Sequence, residues 1–179
     1  KRRNGTNSHA LHDSVRGKSG GNYLYLSSNA TNAEAVQTDE DGVHSFDSDG
    51  FTVGYNGSGI WNNSSGTYVA WNWKAGTSIS GNSSGSGDDT AYTGSVNTDA
   101  GFSIIKYGGN NTAGHQIPHH LGVVPDAIFI KSLTSQSWNC FFPNTSLGAT
   151  KGLQLDNTGA GNTVSHLNNT MPTTSVVTL

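Results

Sequence analysis

Charge is scarce in this sequence of 179 residues: Asp, Glu, Lys and Arg make up 12% of it, and the net charge is -3. The only basic run is Lys1-Arg2-Arg3, which reads as the solvated start of a strand or turn and leaves no electrostatic footprint for nucleic acid. Cysteine is nearly absent. Cys140 alone cannot form an internal disulfide, which excludes a disulfide-stapled fold and a cysteine-rich zinc site. No apolar run approaches the ~20 residues a membrane-crossing helix needs, so membrane insertion is not expected. Helical periodicity is missing too. No segment repeats apolar residues at i, i+3, i+4 and i+7 over three turns, and Ala33-Glu34-Ala35-Val36 offers one turn at most.

What is abundant is small and polar. Roughly half the residues are Gly, Ser, Thr or Asn, far above ordinary globular usage. A polar but nearly neutral chain differs from the highly charged disordered kind. Aromatic and β-branched residues fall in short runs with period two, the signal of half-buried strands. Such runs are Tyr23-Leu24-Tyr25-Leu26, Phe51-Thr52-Val53, Phe102 to Tyr107, Trp138 to Phe142, Gly152 to Leu155 and Ser175 to Thr178. In Tyr68 to Lys74, alternation puts Val69, Trp71 and Trp73 on one face, which is expected to be core. Ala127 to Lys131 is apolar on both faces and is expected to be a central strand. Turn dipeptides such as Asn4-Gly5, Asp41-Gly42, Asp49-Gly50 and Asn56-Gly57 separate the runs. Many short strands with such turns indicate an all-β sandwich or barrel.

The chain also echoes itself. Lys1 to Val53 and Lys131 to Leu179 each run from a lysine through a polar turn into Ser14-Val15-Arg16-Gly17 or Thr145-Ser146-Leu147-Gly148. Alternate leucines follow (Leu24 and Leu26; Leu153 and Leu155), then an apolar-Thr-apolar triplet. A repeated period marks a modular chain. The expected organisation is a β-sandwich part over 1–74, the C-terminal portion of one repeat unit. A Gly/Ser-rich linker or long loop over 75–100 follows, then a second β part over 101–179, the N-terminal portion of the next unit. The chain is expected to be an excerpt from a longer repetitive protein.

The order of several motifs resembles a family of repeated β-domains in phage tail fibres and other virion structural proteins. The residues that carry it are Gly101 to Tyr107, His120-Leu121-Gly122-Val123-Val124-Pro125, Ile128 to Lys131, Trp138, Ser146-Leu147-Gly148 and Thr170 to Val176. Earlier matching pieces are Asp13 to Gly17, Phe46 to Gly54 and Tyr68 to Gly76. The resemblance implies an antiparallel β-sandwich of jelly-roll, concanavalin-A-like type with an internal repeat. It also implies a virion structural or host-contacting role, and it carries no catalytic residues to transfer.

Candidate chemistry is thin. His115, His119 and His120 lie close enough in sequence to ligate zinc or nickel, against the plainer reading of a polar turn before the strand that follows Pro125. His9, His12, His44 and His166 are isolated, with surface or capping roles expected. Asp47 and Asp49, like Asp39-Glu40-Asp41, suggest calcium, but a bidentate Glu at fixed spacing is missing and Asp49-Gly50 reads as a turn. No metal site and no cofactor are expected, these residues being the ones a metal would draw on. Catalytic carboxylates must face each other across a substrate, and Asp126 and Asp156 have no evident partner in sequence. Cys140, in an apolar strand, reads as a small buried hydrophobe.

Aromatics in polar, glycine-rich surroundings are the binding candidates, because exposed rings stack on the apolar faces of sugars. Trp61, Tyr55 and Tyr107 are taken as the carbohydrate-binding residues. The competing reading has Trp61 plug the end of the core. The expected function is therefore a non-enzymatic virion structural protein, a phage tail-fibre or appendage module for assembly and host-surface glycan attachment. Its expected partners are further copies of itself or other virion proteins and a host glycan. Its expected place is the virion surface or outside the cell. Alternatives are a capsid decoration protein, a cellular adhesin or filament subunit, and a polysaccharide-degrading enzyme.

Overall fold

Short β-branched and aromatic runs broken by Gly and Asn have too few residues for long strands, so each run closes a small antiparallel ladder before the next turn. The computed structural model describes residues 1–37, 41–54 and 60–179. Among them no α-helix occurs, every strand pairing is antiparallel, and the expected all-β class is what the chain adopts. Contacts divide the chain into two units.

The first unit comprises Lys1–Asn72 with Lys131–Trp138 and Leu155–Asn157. It holds β1 (Ala10–His12), β2 (Lys18–Ser19), β3 (Asn22–Tyr23), β4 (Tyr25–Ser27), β5 (Gly42–Phe46) and β6 (Phe51–Gly54). Strands β2 and β3 close through Gly20-Gly21, at φ 56° and 86°. A two-residue hairpin turn with both φ positive favours glycine. The Leu11 position faces Leu26 across β1 and β4, and Val43 faces Val53 across β5 and β6. Leu26, Val43 and Trp138 are buried. The Trp138 indole N–H donates to the Ser27 carbonyl at 2.8 Å, so a large ring is buried without orphaning its one donor.

The second unit comprises Trp73–Ile130, Asn139–Gln154 and Thr158–Leu179. Its strands are β7 (Thr77–Asn82), β8 (Ser84–Gly85), β9 (Ala91–Asn97), β10 (Phe102–Tyr107), β11 (His115–Pro118), β12 (Ile128–Ile130), β13 (Asn139–Phe141), β14 (Lys151–Gln154), β15 (Asn162–Thr163) and β16 (Val176–Thr178). They form sheets of order β10-β9-β7, β16-β11-β8 and β12-β13-β14-β15. Phe141 of β13, Leu167 and Val177 of β16 make one buried cluster, with Ile128, Ile130, Val164 and Leu179 against it. Two sheets thus contribute to one core, an arrangement consistent with a β-sandwich.

Three expectations require correction. Residues 75–100, read as a linker or long loop, contain β7, β8 and β9, and Tyr92, Gly94 and Val96 are buried on one face. Gly and Ser composition weakens strand propensity but does not forbid a ladder when neighbours pair on both sides. Tyr68 to Lys74 forms no strand: Tyr68 makes a lone bridge to Arg2, and Val69, Trp71 and Trp73 are exposed. Among the described residues its alternation is met by that single bridge and not by a ladder. The strand at Ile128–Ile130 is an edge, not a central strand, and Phe129 is 53% exposed.

Candidate functional site

The three clustered histidines point three ways. His115 is buried at 3% exposure, and its Nε2 lies 2.6 Å from the Ser83 hydroxyl and 3.3 Å from Thr90 Oγ1. The Thr90 amide donates to Ser83 Oγ at 2.7 Å. This is the spacing of a nucleophile and its base, yet Ser83 is 2% exposed, so no substrate reaches it. The network instead joins the β7–β9 connection to β11. His119 is also buried. Its Nε2 donates to the Thr173 carbonyl at 3.1 Å while its Nδ1 accepts from the Leu121 amide at 3.2 Å. Burial first, and then His120, lower its pKa; the Thr173 carbonyl acts in the opposite direction. His120, beyond the end of β11 and at φ 58°, turns to the Tyr92 hydroxyl at 2.8 Å. Among the described residues no three His, Cys, Asp or Glu side chains gather as a metal would require.

Asp47, Asp126 and Asp156 are used by the fold, whereas both Asp41 carboxylate oxygens are buried without a hydrogen-bond partner among the described residues. In the turn between β5 and β6, the Asp47 amide donates to the Gly50 carbonyl and Asp47 Oδ2 accepts from the Thr52 hydroxyl at 2.9 Å. Asp49 is exposed in the same turn. Asp126 and Asp156, which lacked evident partners in sequence, both have one. Asp126 accepts from the Asn144 amide at 2.6 Å, and Asp156 from the Trp138 backbone at 2.7 Å. Asp13 and Glu34 flank Arg16, a side chain that sequence reading passed over and that is 7% exposed. Arg16 donates to Asp13, to Glu34 Oε1 at 3.2 Å and to the Leu11 carbonyl at 2.9 Å.

The expected carbohydrate-binding aromatics are placed as follows. Tyr55 lies outside the described residues. Trp61 is half-buried, edge-on to His12 at 4.8 Å and to Tyr25 at 5.9 Å. Its indole N–H and both His12 nitrogens are buried without a hydrogen-bond partner. His12 is therefore not the surface or capping residue expected. Burial, followed by Arg16, pulls its pKa from 6.5 down to about 4. The Tyr23 and Leu24 carbonyls and Asp13 favour the charged ring, but desolvation is the larger effect. Tyr107 is half-buried opposite Tyr92 on β9 and lines an open cleft of about 210 Å³ with Ile130, Asn139, His166 and Leu179. Burial raises its hydroxyl pKa.

The aromatics that meet solvent are others. Trp71 is 76% and Trp73 59% exposed. Trp73 stacks on Phe102 at 5.9 Å between ring centroids and 12° between planes. An open cleft of about 380 Å³ is lined by Gly76, Thr77, Val96, Asn97, Thr98 and Asp99, and its Asn97 lies opposite Phe102 in the β9–β10 ladder. The only sequence signal for this place was a tryptophan followed by glycine and, later, Asn97-Thr98-Asp99 before Phe102; the strand reading of Tyr68 to Lys74 had assigned the ring to the core.

No curated protein and no solved structure matches the chain. One family does match, across residues 1–179, and its description is Domain of unknown function (DUF7483). The chain belongs to the DUF7483 family.

Proposed function

We propose that this domain is a non-enzymatic structural module of a virion appendage, of the phage tail-fibre kind, that assembles with further copies or other virion proteins and attaches to host-surface glycan. The exposure of Trp71 and Trp73 is the observation that carries the reading. Large rings left in water favour a contact surface over a scaffold that serves only itself. Dense antiparallel ladders and low charge support a rigid, protease-resistant carrier of such a surface. The jelly-roll, concanavalin-A-like arrangement and the internal repeat belong to this proposal, as does a place on the virion surface. Attachment would work by avidity, many weak contacts tethered on one particle.

Gold-labelled antibody against the domain, viewed by electron microscopy on source particles, tests the reading. Label on slender particle appendages is the expected result. Label on the capsid shell would move the assignment to a decoration protein. Label confined to cellular filaments would overturn the virion assignment.

A further inference from the structure

We propose that the free edge of β7 is an interface between two copies of this chain, which pair antiparallel along it and join two β10-β9-β7 sheets into one. This rests on the assembly reading above and names the surface that assembles. Strand β9 lies between β10 and β7 and divides its backbone bonds between them. On the β10 side the Gly108 amide donates to the Ala91 carbonyl at 3.2 Å, and on the β7 side the Ser83 amide donates to the Thr90 carbonyl at 2.8 Å. Alternation along an antiparallel ladder then turns the amides and carbonyls of Thr77, Ile79 and Gly81 toward β9 and those of Ser78, Ser80 and Asn82 outward. Among the described residues no strand lies beyond β7, and Ser78, Ser80 and Asn82 are exposed. A row of outward backbone groups is a template for another strand.

A second β7 is the partner that fits. The usual protections of an edge are missing: the six residues of β7 include no charge and no proline, and its register with β9 runs without a bulge. The other edges of the second unit differ, since β10 carries Lys106 and β8, β12, β15 and β16 have two or three residues each. Outward groups at Ser78, Ser80 and Asn82 match themselves about a two-fold axis at Ser80. Ser80 then pairs with Ser80 of the second copy, and Ser78 with its Asn82, each residue bonding through both amide and carbonyl. The same register puts half-buried Ile79 beside Gly81 of the second copy, which has no side chain to oppose it. No like charges meet across the axis, so the contact is free of the repulsion a charged edge brings. An edge of this length spans about 20 Å and buries less than a stable dimer needs. Pairing is therefore weak in the isolated domain and gains strength where copies are tethered on one assembly.

Sedimentation equilibrium of the intact domain up to about 1 mM, with oxidative cross-linking of cysteine variants, tests the edge. Wild type is expected to form reversible dimers. In Ser80→Lys two ammonium groups face each other at the axis, which should weaken association at least about tenfold. Thr93→Lys, exposed on β9, should leave association within about twofold of wild type. Circular dichroism equal to wild type guards against a folding defect in either variant. Residues directly opposite in a bonded antiparallel pair stand about 5.5 Å apart at Cα, within disulfide reach. Ser80→Cys should therefore oxidise to a covalent dimer and Thr93→Cys should not; Cys140 is buried and contributes no cross-link. Dimers that persist unchanged in Ser80→Lys, with no disulfide through Ser80→Cys, would overturn the β7 interface while leaving self-assembly standing. A wild type that stays monomeric would overturn pairing with a second copy and leave the edge to a strand of another protein, and antibody label on particle appendages would still uphold the virion reading.

Discussion

Arg16 is the residue on which the first unit depends most visibly. Its guanidinium satisfies two carboxylates and a carbonyl while almost fully shielded from water. Removing one partner of such a set leaves the other charges without compensation, which costs more than the pair itself is worth. Arg16→Met is expected to destabilise the domain by roughly 3 kcal/mol, the lower end for a buried pair, because Asp13 and Glu34 keep slight contact with water. Urea unfolding checks this; a loss within about 0.5 kcal/mol would show the network to be ornamental. Sequence presented Arg16 only as part of a Ser-Val-Arg-Gly turn. Nothing in residue type or spacing announces that Glu34, eighteen positions later, completes the set. Cys140 was legible, because an apolar strand leaves a lone thiol little to do but pack, and it is 2% exposed.

Among the elements, β9 is the one whose composition misled and whose packing explains why. Tyr92, Gly94 and Val96 face inward in alternation. A Cβ at Gly94 would stand 2.5 Å from the Ile104 carbonyl oxygen and 2.7 Å from Ile105 Cδ1. The glycine that made the segment look like linker is what lets β9 lie between β7 and β10. Gly94→Ala is expected to cost roughly 2 kcal/mol through this overpacking and to speed hydrogen exchange in β9 and β10; unchanged exchange there would contradict the close approach. Runs such as Phe102 to Tyr107 became strands as the alternation predicts. Tyr68 to Lys74 shows the same alternation without a ladder, since period two reports the pleat a chain could adopt and not whether a partner strand exists to accept it.

For the whole molecule, acid is the condition that separates a neutral buried imidazole from a surface one. The His12 pKa is about 4 when folded against 6.5 as the ordinary value. Between those limits the unfolded chain takes up a proton that the folded one refuses. The stability this contributes is present above pH 6.5 and is lost as pH falls toward 4. His119, lowered mainly by burial, acts with the same sign. The thermal midpoint is expected to fall across that window, and to fall less in His12→Phe. A wild-type midpoint flat from neutral pH to 4 would mean the ring is solvated.

The all-β class, the absence of helical periodicity and strands such as β6, β10, β13, β14 and β16 follow from the sequence alone, because alternation and turn chemistry act over a few neighbouring residues. Which tryptophan is buried did not. Trp138 finds a cover and the Ser27 carbonyl, far away along the chain, while Trp73 stacks on Phe102 and stays 59% exposed. The dispersal of His115, His119 and His120 was equally out of reach, since a positive φ at His120 and partners from Ser83 to Thr173 are set by long-range packing. Local preference proposes a strand, but burial is a property of whatever the rest of the chain brings against it.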